Sequence, residues 1–402
     1  MPPHGQCHGG LSCALHCSGP RQAYAFANRR MSQRKRVHTA GMRHEVARLT
    51  GVGGREVLNT DMSAARRNEY LFAPPAPLRR LLLPLLDNPK DETLLWSLLN
   101  VGLLVPLAAY VFLCWAPHSH LAGAAYLVTV YGTFLQRFML ALHYSQHRRL
   151  FRHGLGAANS VWAALCPFFG LPPGVYRLHH CAMHHCEGNG RAGDVSSTEG
   201  YSRDRPGHCL LYVLRFLLFT ALELPLYAFR TARYAQAAGV LAGVAAYVAT
   251  AAWVATHVGT PAAVWLFAVP FVVTQCALAF GNWSQHVFIN PEAPRHACGM
   301  AYTCMNHGDN QRTFNDGYHA THHAYSRLHW SELPAVFMDQ LQAHGEKDAL
   351  VFSGCHFFDV GIAVLTGRLG WLADRVVTLP GQQKRSKHQV VAELRRRLQP
   401  VL

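Results

Sequence analysis

Acidic residues are scarce in this chain. The first is Glu45, and 402 residues hold 22 Asp and Glu against 37 Lys and Arg. Charged residues of both signs make up 15% of the sequence, and half of it is hydrophobic. An ordinary soluble domain is about 25% charged, so a plain soluble enzyme is excluded. Glu-x-x-His pairs are missing as well, which excludes the soluble di-iron carboxylate bundles. No Gly-rich dinucleotide fingerprint occurs, and no repeat of fixed period. There is no secretory signal, and none of the twelve cysteines forms a C-x-x-C pair. They read as free, reduced thiols rather than a disulfide framework or a closed zinc site. The His/Cys mixture "HGQCHGGLSCALHC" at the start lacks that zinc spacing too.

What charge there is sits at the ends. Residues 1–67 carry eleven Lys and Arg against Glu45, Glu56 and Asp61. Residues 384–397 carry six against Glu393, and the two tails supply 13 of the net +15. A basic centre for nucleic acid is not indicated. Basic tails beside apolar segments suit an anionic membrane surface. Residues 1–67 read as a basic, disordered tail or an organelle transit peptide, with Met31 as an alternative start.

Four stretches are long and apolar enough to span a bilayer, which takes about 20 residues: 93–115, 121–142, 235–256 and 262–280. They pair across two short linkers, 116–120 and 257–261, that contain no Lys or Arg. "HRRLFRH" after the second span and "FRTAR" before the third are basic, which predicts that both termini and the central segment face the cytosol or stroma. The apolar stretch 160–175, broken by Pro167, Pro172, Pro173 and Gly174, predicts an interfacial or re-entrant segment. Residues 210–229 contain Arg215 and Glu223 and predict an amphipathic helix lying on the membrane. The expected fold is an all-α integral membrane domain over 68–402: four transmembrane helices in two hairpins, with a cytosolic helical cap from 143–234 and 281–402.

The histidines cluster at one side of these spans. "HYSQH" gives His143 and His147, and "HHCAMHH" gives His179, His180, His184 and His185. "NWSQH" gives Asn282 and His286, and "HATHH" gives His319, His322 and His323. Residues four apart share a helix face, so His143 with His147, and His180 with His184, are expected to point at one place. An adjacent pair such as His184-His185 diverges by about 100° and suits two nearby metals better than one. Imidazole suits Zn, Cu, Fe and Ni, and nine histidines are too many for structural zinc. Asp316, Glu187, Asp194 and Asp309 lie near enough to back a ligand, though each reads first as a turn or cap residue.

"HYSQH", "HHCAMHH" and "HATHH" resemble the three histidine boxes of the membrane-bound fatty acid desaturases and hydroxylases. "NWSQH" resembles the extra Asn/His element of that family. The resemblance covers about residues 90–335. It implies a di-iron centre between membrane and cap, with His143, His147, His180, His184, His185, His286, His319, His322 and His323 as ligands. Asn282, His179 and Asp316 would lie just outside them. It implies O2 as co-substrate and a lipid acyl chain as substrate, with desaturation ahead of hydroxylation of a lipid or carotenoid-type ring. There is no "HPGG" of a fused cytochrome b5 domain, so electrons would come from a separate cytochrome b5 or ferredoxin. The membrane would be that of the endoplasmic reticulum or a plastid. The other-class alternative is a metal transporter. Ionisable groups are missing from three of the four spans and Arg137 stands alone in the second, which argues against transport through the bilayer midplane.

Overall fold

A run without Lys or Arg that must satisfy its own backbone in lipid has to be a helix. In the computed structural model, which describes residues 48–52, 56–61 and 71–401, that run is α1, Glu92–Trp115. The Asn88 side chain accepts from Lys90 N–H just before it, and Glu92 in its first turn suits the positive end of the helix dipole. Leu94, Leu98, Val101, Val105, Ala109 and Phe112 form a buried stripe at every third or fourth position. Leu103, Leu107, Tyr110 and Val111 on other faces are exposed, as a lipid-facing surface requires.

Next come α2, His120–Val130, and α3, Gln136–His147. They are continuous through Tyr131–Leu135, where the coil widens to i→i+5 bonding. Then follow α4, Pro206–Arg230; α5, Tyr234–His257; and α6, Val269–Gln285. A second widened turn, Val264–Ala268, precedes α6. Pro270 has no N–H to offer Leu266 O, which explains the widening there. Tyr131 Oη ties the two widened points together, lying 3.2 Å from Pro270 O and 3.0 Å from Thr274 Oγ1. Four helices are thus long and apolar enough to cross a membrane: Pro89–Trp115, His120–His147, Tyr234–His257 and Thr260–Gln285. Helix α4 is bent by 75° between Pro206–Leu218 and Leu222–Arg230. Leu210, Leu214, Leu218, Leu222 and Leu226 line its exposed side, and Arg215 pairs with Glu223 at 3.0 Å across the bend.

Segment 160–175 packs into the core: Trp162 and Phe169 are fully buried, and Phe169 stacks on Phe138 with centroids 4.0 Å apart. Gly170 (φ 69°) lies so close to the Pro270 backbone that a Cβ would collide. The fold is also not purely helical. β1, Arg48–Gly51, pairs antiparallel with β2, Glu56–Leu58. β3, Thr303–Met305, runs parallel to β4, Val351–Ser353, and β1 also pairs with β5, Val377–Thr378. Within residues 1–67, expected as a disordered tail, the described residues are folded: Arg48 is sheet-paired, and Asn59 and Asp61 are buried. The readings for residues 1–47 lie outside the described residues.

Helix α7, His319–Ala324, follows β3. Two further helices, α8, Phe357–Leu365, and α9, Lys387–Arg397, close the chain. Gly361 lets α8 rest against Ser284 at the end of α6, where any side chain would clash. The C-terminal basic run is folded rather than loose: Arg397 is 2% exposed and pairs with Glu393 at 2.6 Å and Asp348 at 2.5 Å.

Candidate metal centre

His143 and His147 occupy the last two turns of α3, one turn apart. His180 and His184 lie in a widened coil, Leu178–His184, that starts four residues after Gly174 (φ 86°) reverses the chain. His286 directly follows α6. α7 carries His319, His322 and His323. Its start is seeded by Tyr318, whose carbonyl accepts from His322 N–H at 2.9 Å.

These side chains gather into two groups of four. His143, His147, His180 and His322 form one, and His184, His286, His319 and His323 the other. Within each group one ring nitrogen per residue lies within 4.8 Å of all the others. In the first group, Nε2 of His143 approaches Nε2 of His322 at 2.8 Å, and His147 approaches His180 at 2.8 Å. In the second, His184 lies 3.2 Å from His286, His286 3.3 Å from His319, and His319 3.1 Å from His323. His180 and His184 do face the same way, with ring centroids 5.9 Å apart, but they do not serve one place. Four residues of rise separate them, and each joins a different group. The adjacent pair His322-His323 is likewise split. His185 stands between the groups, its Nε2 3.2 Å from that of His180. Its ring is 4.4 Å from each of the His147 and His323 rings.

Four imidazoles facing one point, three of them buried, cannot satisfy each other, because a neutral ring has one N–H donor and one acceptor nitrogen. A cation at that point would satisfy all four. Burial, reinforced by neighbouring imidazoles, holds His180, His185, His319, His322 and His323 well below 6.5 and His286 at about 3. They are therefore neutral at pH 7, the form that ligates a metal. The donor set fits two ions with nitrogen-rich coordination.

The far nitrogens are held unequally. His184 Nδ1 meets Asp194 Oδ2 at 2.7 Å, and both are buried. Burial alone would raise the Asp194 carboxyl, but His184 and the hydrogen bond from Ser196 outweigh it and hold it below its usual range. His286 Nδ1 meets the Met300 carbonyl at 2.9 Å. His143 Nδ1 has the Tyr176 hydroxyl at 3.4 Å, and His147 Nδ1 has Cys181 Sγ at 3.8 Å. These partners, Asp194 apart, carried no sequence signal of their own. Asp194, read first as a turn residue, is instead the carboxylate behind a candidate ligand.

The remaining acidic and polar candidates fall elsewhere. Glu187 accepts from Tyr227 Oη at 2.7 Å, and Asp309 lies beside His307 at 3.6 Å. Asn282 gives its amide N–H to Ser196 O at 3.0 Å and to Tyr212 Oη at 2.7 Å. His179 is in neither group, and its ring packs edge-on to Phe216. Asp316 touches no imidazole among its hydrogen-bond partners. Its Oδ2 accepts from Gln285 Nε2 at 2.8 Å, and burial pushes its carboxyl up to about 7. His329 is structural, bonded to buried Asp91 at 2.9 Å. Asp61, near the N-terminal strands, bonds to the residue just before α7. Asp61 accepts from Asn306 N–H at 2.7 Å, Asn310 Nδ2 at 3.1 Å and Tyr318 Oη at 2.8 Å.

A cavity of about 190 Å³ opens beside the centre. Leu135, Met139, Leu140, Leu278, Phe357 and Phe358 supply apolar wall, and His143, His180, His184 and His319 form its metal-side end. The sequence model of the fatty acid desaturase family matches residues 119–350, more than half of the chain. No individual curated protein matches it. The chain belongs to the fatty acid desaturase family.

Proposed function

We propose that this family member is a membrane-bound di-iron oxygenase that desaturates a lipid acyl chain. The observation that supports it best is the meeting of two four-histidine groups with one end of an apolar cavity. His143, His147, His180 and His322 would hold one iron, His184, His286, His319 and His323 the other, and His185 would serve between them. Iron bound there supplies what no side chain can, the reduction of O2 coupled to cleavage of an unactivated C–H bond. In balance, two hydrogens leave adjacent methylenes, and O2 takes them up with two further electrons and two protons to give two waters.

The protein's own part is positional. The leucine and phenylalanine walls hold an alkyl chain straight past the histidines and exclude water. Asp194 fixes the His184 ring by accepting from Nδ1–H, which keeps Nε2 free to ligate. The Met300 carbonyl does the same for His286. A separate cytochrome b5 or ferredoxin would deliver the electrons to a cytosolic or stromal cap, with the spans paired as two hairpins. The test is lipid profiling of cells expressing the chain beside the His322→Ala/His323→Ala variant. A new double bond made by the parent alone is expected. A new hydroxyl would move the reading to hydroxylation, and no change in any lipid despite two bound irons would overturn it.

A further inference from the structure

The cavity lining includes a carboxyl that a plain alkyl chain cannot satisfy. Asp316 is 1% exposed. Its Oδ2 is taken by Gln285, while Oδ1 is buried without a hydrogen-bond partner and the residue lines the cavity together with His319. Most other polar side chains of the lining are engaged by protein. Thr274 Oγ1 lies 3.0 Å from Tyr131 Oη, Thr313 Oγ1 donates to Asp309 O at 2.8 Å, and Asn282 is held by Ser196 and Tyr212. Leaving a buried carboxyl oxygen unmatched costs more than a lost neutral hydrogen bond. A site that bound only methylenes would have no use for it.

We infer that Asp316 receives a hydroxyl carried by the substrate chain itself, close to the carbons that are oxidised. This rests on the lipid-oxidising reading above. A hydroxyl suits the site better than an amide N–H because it both donates and accepts, so it can pair with the carboxyl whether or not Asp316 holds a proton. Asp316 stands three residues before His319 in sequence and shares its cavity, so the hydroxyl would fall near the metal end of the chain. The substrate class is therefore a long-chain lipid with a secondary or primary alcohol on the chain. The Gln285 amide, donating to Oδ2, holds the carboxyl in place for it.

The experiment uses the full-length, iron-loaded protein in detergent with a chemical reductant. It compares saturated C16–C18 chains that carry a hydroxyl at successive positions with the unsubstituted chain. One hydroxylated isomer should be oxidised about 10- to 100-fold faster than the plain chain, the range of a hydrogen bond to a charged group. The same isomer should raise the melting temperature more than the plain chain does. Asp316→Leu should abolish both preferences, and Asp316→Asn should retain part of them. A parent that prefers the plain chain overturns the inference, as does an Asp316→Leu variant with its preference intact. In the latter case Oδ1 serves a water instead. If no chain is oxidised by the iron-loaded parent, it is the oxygenase reading itself that falls.

Discussion

The two histidine groups have the same composition and different support. The second is anchored by a buried carboxylate, Asp194, and by a backbone carbonyl, Met300 O. The first leans on a phenol at 3.4 Å and a thiol at 3.8 Å, both weaker partners. Two of its members also sit on α3, a continuation of a membrane-crossing helix, whereas the second group is drawn from α7, the chain after α6 and the coil ending at His184. Charge-assisted hydrogen bonds are roughly twice as strong as neutral ones. Two sites built from one residue type therefore need not bind alike. The second group should hold its ion more tightly and be the more sensitive to changes behind the ligands.

The largest effect should come from breaking both groups at once. His322 and His323 belong to different groups, so His322→Ala/His323→Ala should reduce lipid oxidation to background, measured by product analysis. Removing the carboxylate alone, Asp194→Asn, should weaken metal binding at the second group about 10- to 100-fold. Competition with a graded chelator should then show one ion lost early and one retained. If both ions leave together, the groups are not independently supported.

Acid should act on both groups through the same imidazoles. His286 is held at about 3 in the fold and would titrate near 6.5 when unfolded. The neutral ring thus contributes its full stability above pH 6.5, and the contribution is lost as pH falls from there toward 3. At pH 5.5 His286 costs about 1.4 kcal/mol. Melting of the metal-free protein should therefore drop between pH 7.5 and 5.5, and a flat profile would contradict the assigned burial.

A smaller change is expected at Asp61, which supports α7 and so bears on both groups. Asp61→Ala takes away the carboxylate that accepts from Asn306 N–H, Asn310 Nδ2 and Tyr318 Oη, at about 1–3 kcal/mol. Thermal unfolding should show a modest loss, with iron content lowered at both sites rather than one. Tyr176→Phe should have the least effect. It removes only the 3.4 Å contact to His143, and chelator titration should shift the first group by well under tenfold.

The histidine boxes were legible because their spacing is local: three and four residues are helix distances, and the apolar runs beside them fix where they emerge. Membership of the groups was not legible. His143 meets His322 across 179 residues and His184 meets His286 across 102, and such pairings depend on how the helices pack. Asp194 looked like a turn residue because it does cap a turn, accepting from Ser196 N–H with one oxygen while the other serves His184. Asp61 was hidden for another reason. Its partners lie 245 to 257 residues away, and its basic surroundings read as a tail.

The most direct test is iron per chain in detergent-purified protein, counted beside His322→Ala/His323→Ala. About two irons are expected in the parent and a clear loss in a variant that remains folded. Zinc in place of iron, or an empty but well-folded parent, would contradict the di-iron reading.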